Sequence, residues 1–128
     1  MQRVLVVDDQ HFVRSTISFI LKAQGFEVVE VERGADALRL LEDTTFDLAI
    51  VDIYMPGMDG VKIIKLMRER TPDLPVIAMS GVQLNASDKT ALDYFSMSPE
   101  LSRIPCLKKP FKPNELMSAI QKVIRVNA

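Results

Sequence analysis

Apolar residues along this chain follow two spacings that take turns. Runs of consecutive apolar residues, Val4-Leu5-Val6-Val7, Leu48-Ala49-Ile50-Val51 and Val76-Ile77-Ala78-Met79, are separated by stretches where apolar residues recur at helical spacing. The runs predict strands buried on both faces, and the spaced stretches predict amphipathic helices. Residues 3–8 read as a first strand, bounded by acids. Residues 11–24 read as a helix carrying Phe12, Val13, Ile17, Ile20 and Leu21, which Gly25 stops. Phe26 to Val31 form a second strand, and Gly34 opens a helix with Ala37, Leu38 and Leu41 on one face. Residues 47–52 are a third strand, followed by a turn at Pro56-Gly57. Asp59 caps the next helix, which carries Val61, Ile64 and Met67. Pro72 and Pro75 punctuate the loop to a fourth strand at 76–80. A fifth strand follows Ile104 and ends in Lys109-Pro110. Pro113 starts a last helix, where its missing N–H costs little, and Leu116, Ile120, Val123 and Ile124 form its apolar stripe. Residues 81–105 are less regular. Within them, 86–101 reads as a long helix with Ala91, Leu92, Phe95 and Leu101 inward, broken or kinked near its end by Pro99.

This alternation predicts an α/β fold, a doubly wound parallel sheet with helices on both faces. In such sheets ligands sit beyond the C-terminal strand ends, near the point where strand order reverses. The length of 128 residues suits one domain, with no internal repeat or linker. A content of 48% hydrophobic and 26% charged residues supports a buried core. The formal net charge of −1 gives no electrostatic case for direct nucleic-acid binding. No apolar run approaches the roughly 20 residues of a membrane span, and the N-terminus is not a signal peptide. The single cysteine, Cys106, excludes an intrachain disulfide and fits a cytoplasmic location. With one His and one Cys, any metal should be a hard cation on oxygen ligands rather than zinc.

The strand ends carry the chemistry. The first ends in Asp8 and Asp9, the third in Asp52, the fourth in Ser80 and the fifth in Lys109. Carboxylates gathered at one edge repel each other unless a cation compensates them. Mg²⁺ binds through one or two carboxylates, waters and phosphate oxygens, which fits such a set. It would also offset charge as a phosphoryl group moves to Asp52. Ser80 and Lys109 would then contact the oxygens of the product, the hydroxyl as a donor and the lysine as a point charge. Taken singly, each residue has a plainer reading. Asp often ends strands because it favours turns and caps, and Asp9 alone reads as a cap for the first helix. Ser80 alone reads as a turn residue and Lys109 as a solvated lysine. Their joint placement favours the site.

The segments VLVVDD at 4–9, DLAIVDIYMPGMDG at 47–60, PVIAMSG at 75–81 and KKPF at 108–111 resemble the receiver domain of two-component response regulators. The resemblance extends over residues 1–128, either as a regulator that acts alone or as a piece of a longer one. It implies a flavodoxin-like five-stranded sheet of order 2-1-3-4-5. It implies that Asp52 accepts a phosphoryl group from a histidine kinase or phosphotransfer protein, and that an unidentified downstream protein reads the result. By the same match Asp8 or Asp9 hold Mg²⁺ with Asp52, the backbone carbonyl of Tyr54 is a further ligand, Ser80 is the switch hydroxyl and Lys109 the phosphate-binding lysine. The only catalysis implied is of the domain's own phosphorylation and dephosphorylation.

Three departures qualify the resemblance. Cys106 stands where many receivers place a switching aromatic, and it reads here as a small buried hydrophobe. The output switch is therefore expected to run through the segment between Ser80 and Lys109, with Tyr94 and Phe95 supplying bulk. That segment is also longer than usual, as in a receiver subgroup with a long helix between the fourth and fifth strands. Tyr54 and Val82 flank the expected path of the hydrolytic water, and neither is an acid or amide, so a long-lived acyl phosphate is expected. His11 reads as an exposed helix residue, and Lys62, Lys65, Arg68 and Arg70 as a solvated basic face. Two other functions compete. An Mg²⁺-dependent phosphohydrolase with Asp52 as nucleophile would carry a second Asp at position 54, where Tyr54 stands. A flavin carrier would offer Ser, Thr and Gly in the first loop, where Asp8 and Asp9 would repel a phosphate.

Overall fold

The computed structural model describes residues 2–55, 58–81 and 103–124. Five parallel strands form one sheet: β1 (Arg3–Val7), β2 (Glu27–Val31), β3 (Leu48–Asp52), β4 (Val76–Ser80) and β5 (Cys106–Lys108). Their order is β2-β1-β3-β4-β5, the expected 2-1-3-4-5. The described helices are α1 (His11–Ala23), α2 (Gly34–Asp43), α3 (Gly60–Arg70) and α4 (Pro113–Ile124). A short antiparallel ladder pairs Tyr54–Met55 with Met58–Asp59 just after β3. The helix expected over 86–101 lies outside the described residues, as do Val82, Tyr94 and Phe95.

The apolar runs behave as period-two strands buried on both sides. Val4, Val6, Leu48, Ile50, Ile77 and Met79 face α1 and α4, packing with Ile17, Leu21, Leu116 and Ile120. The intervening Leu5, Val7, Ala49, Val51, Val76 and Ala78 face α2 and α3, packing with Ala37, Leu38, Val61, Ile64 and Met67. Both faces of the central strands are therefore filled. Only their ends remain for polar chemistry.

Helix boundaries follow local chemistry. α1 ends in a Schellman turn: Phe26 N–H donates to Leu21 O and Gly25 N–H to Lys22 O, each at 3.0 Å, with Gly25 at φ 91°. Pro113 begins α4, and Glu115 reaches back to accept the Lys112 N–H at 2.8 Å, half of a capping box. Asp9 does not cap α1. Gln10 holds the N-cap position without a side-chain bond. The side chain of Asp59, the expected cap of α3, is outside the description.

Two side-chain expectations change. Phe12 is 80% exposed rather than inward. At 3.6 residues per turn it points about 140° away from Ile17, off the apolar stripe. The basic face of α3 is not merely solvated. Arg68 donates to Leu74 O at 3.2 Å, and Arg70 donates to Leu38 O at 3.0 Å and Glu42 at 2.9 Å, tying α3 to a loop and to α2.

Gly60 decides how closely α3 approaches the end of β3. A Cβ there would lie 2.3 Å from Ile53 Cα and 2.6 Å from the Asp52 carbonyl oxygen. Those atoms are backbone and cannot swing away. Gly60→Ala should therefore lower unfolding free energy by about 3 kcal/mol or more. Gly25→Ala should lower it by about 1 kcal/mol, because that site is open and only φ is unfavourable. Urea unfolding of both variants checks the order, and equal losses would contradict it.

Candidate functional site

Strand register brings the expected residues to one edge. Val7 pairs with Val51, so Asp8 and Asp52 follow side by side at the point where strand order reverses. Asp52 pairs with Met79, one residue before Ser80, and Ser80 pairs with Lys108, one before Lys109. Asp8 and Asp52 are buried and Asp9 is exposed, and one carboxylate oxygen from each lies within 4.8 Å of the others. The Lys109 ammonium donates to Asp8 Oδ2 at 2.5 Å and to Asp52 Oδ2 at 2.9 Å. The other oxygen of Asp8 accepts the Gln10 N–H at 2.8 Å, which holds its carboxylate against the start of α1.

Burial acts to lower the Lys109 pKa, but hydrogen bonds and charge from Asp52 and Asp8 outweigh it, and the net shift is upward from 10.5. The lysine is thus charged at any physiological pH. Three carboxylates against one ammonium leave three minus one, a formal charge of −2, at this edge. The donor set is all oxygen, and Mg²⁺ with ligands at about 2.1 Å spans about 4.2 Å between opposite oxygens. Oxygens that all lie within 4.8 Å of one another can meet such a span, and exposed Asp9 leaves a face open to water and phosphate. These residues fit a hard divalent cation. The backbone of Tyr54, the remaining expected ligand, lies in the short ladder opposite Asp59.

Ser80 is buried, and its carbonyl accepts the Lys109 N–H at 2.8 Å, which places the lysine backbone. Its hydroxyl accepts a bond from Cys106 Sγ at 3.9 Å. Cys106 is exposed on β5 rather than the buried hydrophobe expected, because its strand lies at the sheet edge. Desolvation around the sulfur nevertheless pushes the thiol pKa up, so it is an S–H rather than a thiolate. Cys106, at the position where the resemblance leads us to expect an aromatic, thus meets the Ser80 hydroxyl. His11 is exposed as expected, 3.3 Å from Ser15 Oγ.

Sequence reasoning missed the support beneath Asp8. Arg14 donates to the Asp8 carbonyl at 2.7 Å and faces Glu30 at 3.5 Å, and Ser18 donates to Glu30 at 2.7 Å. An Arg and a Glu 16 positions apart carry no signal until the fold pairs α1 with β2. Beside Lys109, residues including Phe12, Val13, Pro110 and Phe111 line a mainly apolar groove of about 450 Å³.

The family model described as the response regulator receiver domain matches residues 4–121. Sporulation initiation phosphotransferase F of Bacillus subtilis (strain 168) is 28% identical over 123 residues, covering 96% of this chain and 94% of that protein. The DNA-binding transcriptional regulator NtrC of Escherichia coli (strain K12) is 34% identical over 131 residues, but the match covers 97% of this chain and only 25% of NtrC. The crystal structure of a response regulator receiver domain protein from Clostridium thermocellum superposes with a TM-score of 0.83 at 26% identity, covering 99% of this chain and 97% of the other.

The ion pairs set an expectation for stability. Lys109→Met removes the cation shared by two buried carboxylates and should cost about 3 kcal/mol in EDTA at neutral pH. Millimolar Mg²⁺ should restore part of the loss. Because the folded pKa is raised, the stabilisation by Lys109 is fully present below pH 10.5 and is lost as pH rises through the higher folded value. Urea unfolding should therefore show wild type losing its advantage over the variant only above pH 10.5. An advantage that faded between pH 7 and 9 would contradict the assignment.

Proposed function

The chain belongs to the response regulator receiver family, and from that premise we propose that Asp52 is its phosphoryl acceptor. The observation that carries this reading is the Lys109 ammonium joined to the buried carboxylates of Asp8 and Asp52, with exposed Asp9 beside them. In the reaction, an oxygen of Asp52 attacks the phosphorus of a phosphohistidine on a kinase or phosphotransfer protein. The P–O bond forms as the P–N bond breaks, and the electron pair returns to the imidazole nitrogen. Asp8 and Asp9, with Asp52 and the Tyr54 carbonyl, would hold Mg²⁺. When bound it supplies positive charge that offsets charge on the transferring oxygens. Lys109 moves part of its hydrogen bonding from carboxylate to phosphoryl oxygen. It binds there as a point charge. Ser80 donates its hydroxyl to the same group and leaves Cys106, and the output runs through the segment between Ser80 and Lys109.

Receiver domains are signalling domains that work with histidine kinases or phosphotransfer proteins, not enzymes in the ordinary sense. This chain would share that role, catalysing only its own phosphorylation and dephosphorylation in the cytoplasm and presenting an altered surface to a downstream protein. Residues 1–128 would form the receiver as a whole. Among the described residues no helix is long and apolar enough to cross a membrane. The phosphohydrolase reading is not favoured: position 54 is Tyr rather than the Asp that such an enzyme needs as general acid.

Intact-mass measurement after incubation with Mg²⁺ and acetyl phosphate tests the proposal. The wild-type chain should gain one phosphoryl group, and Asp52→Asn should gain none. Asp9→Ala should need at least about tenfold more Mg²⁺ for the same rate. A phosphoryl group found on another acid in Asp52→Asn would remove Asp52 from its role.

A further inference from the structure

We propose that Arg14 is a positioning residue for the cation site, holding the Asp8–Asp9 peptide so that both carboxylates face the ion. This rests on reading Asp8, Asp9 and Asp52 as a divalent-cation site. Arg14 Nη1 donates to the Asp8 carbonyl oxygen at 2.7 Å. That carbonyl belongs to the planar peptide that joins the two acids. Fixing its oxygen fixes the plane, and with it the direction in which each side chain leaves the backbone. The other bonds of Asp8 lie elsewhere: its N–H donates to Val31 O at 3.2 Å, its Oδ1 accepts from the Gln10 N–H, and its Oδ2 accepts from the Lys109 ammonium. None of these three bonds is made to the carbonyl oxygen of the joining peptide, which is where the guanidinium acts.

The guanidinium is itself held. Nε lies 3.5 Å from Glu30 Oε1, and the other oxygen of Glu30 accepts the Ser18 hydroxyl at 2.7 Å. His11 Nδ1 lies 3.4 Å from Nη2. Ser18 is 4% exposed and the Arg14 side chain 12%, so the two ends of the relay are sheltered between α1 and β2, while the Glu30 side chain that joins them is 31% exposed. Glu30 also answers an electrostatic objection. A lone Arg beside three acids would compete with an incoming cation, but the Arg14–Glu30 pair is neutral as a unit. The relay orients without adding charge.

Three roles for Arg14 predict three outcomes when it is removed. If it positions the loop, cation affinity falls. If it is only a nearby positive charge, affinity rises. If it is only glue between α1 and β2, melting temperature falls while affinity well below melting stays the same. The test is a Mn²⁺ titration of the full, unphosphorylated chain by electron paramagnetic resonance, with Mg²⁺ as competitor, at a temperature well below each variant's Tm. Arg14→Met should weaken both ions about tenfold, the low end for a partner outside the ligand set. Arg14→Lys can still donate to the Asp8 carbonyl and should recover most of that loss. Ser18→Ala changes no charge and should weaken binding by about threefold through the loosened Glu30. Equal or tighter binding by Arg14→Met would overturn the proposal, as would a Lys variant as weak as the Met one. If Arg14→Met does not fold, Ser18→Ala decides, and wild-type affinity there overturns it. A wild-type chain that binds neither ion would instead sink the cation-site reading on which this rests.

Discussion

The ammonium of Lys109 is bonded to carboxylates from two different strands, and the arrangement of the site depends on that contact. Asp8 and Asp52 are both buried, and two like charges at that spacing would raise each other's pKa or force the strand ends apart. Lys109 reaches them from residues 101 and 57 positions away in sequence. The contact therefore ties β5 to β1 and β3, beyond what the backbone ladder does. A buried pair of this kind is weak evidence for stability, since its desolvation offsets much of its attraction. It is better evidence for a poised site. Both carboxylates are buried, and the partner they share is a single ammonium.

Most of the frame was legible because it rests on local signals. Continuous apolar runs cannot be half-exposed strands, so Val4–Val7 and Leu48–Val51 had to be central, and their ends had to carry the chemistry. Strand order came from the resemblance, and the register then brought Asp8, Asp52, Ser80 and Lys109 to one edge. Failures came where burial depends on a neighbour remote in sequence. Phe12 fits a loose apolar spacing but lies outside the stripe that Ile17 and Leu21 define. Cys106 has the composition of a core residue but sits on the edge strand. Arg14 and Glu30 carry no sequence signal, because only the packing of α1 over β2 pairs them.

Strand ends place side chains to within a residue, but they do not aim them. The aiming here is done largely by backbone contacts beside the acids. Gln10 N–H holds one oxygen of Asp8, Arg14 holds the following peptide, and the Ser80 carbonyl holds the Lys109 N–H. Gly60 brings α3 against the peptide that follows Asp52. Backbone groups suit this task because they have few soft torsions and lose little entropy when fixed. They also leave the carboxylate and ammonium free to exchange partners while the frame stays put. Ser80 joins the two properties, since its carbonyl is part of that frame while its hydroxyl meets Cys106 and has a rotatable bond. A phosphoryl group that draws the hydroxyl away from sulfur would leave the carbonyl contact to Lys109 in place. Backbone contacts thus fix the frame around Asp8 and Lys109, while the Ser80 hydroxyl keeps a rotatable bond.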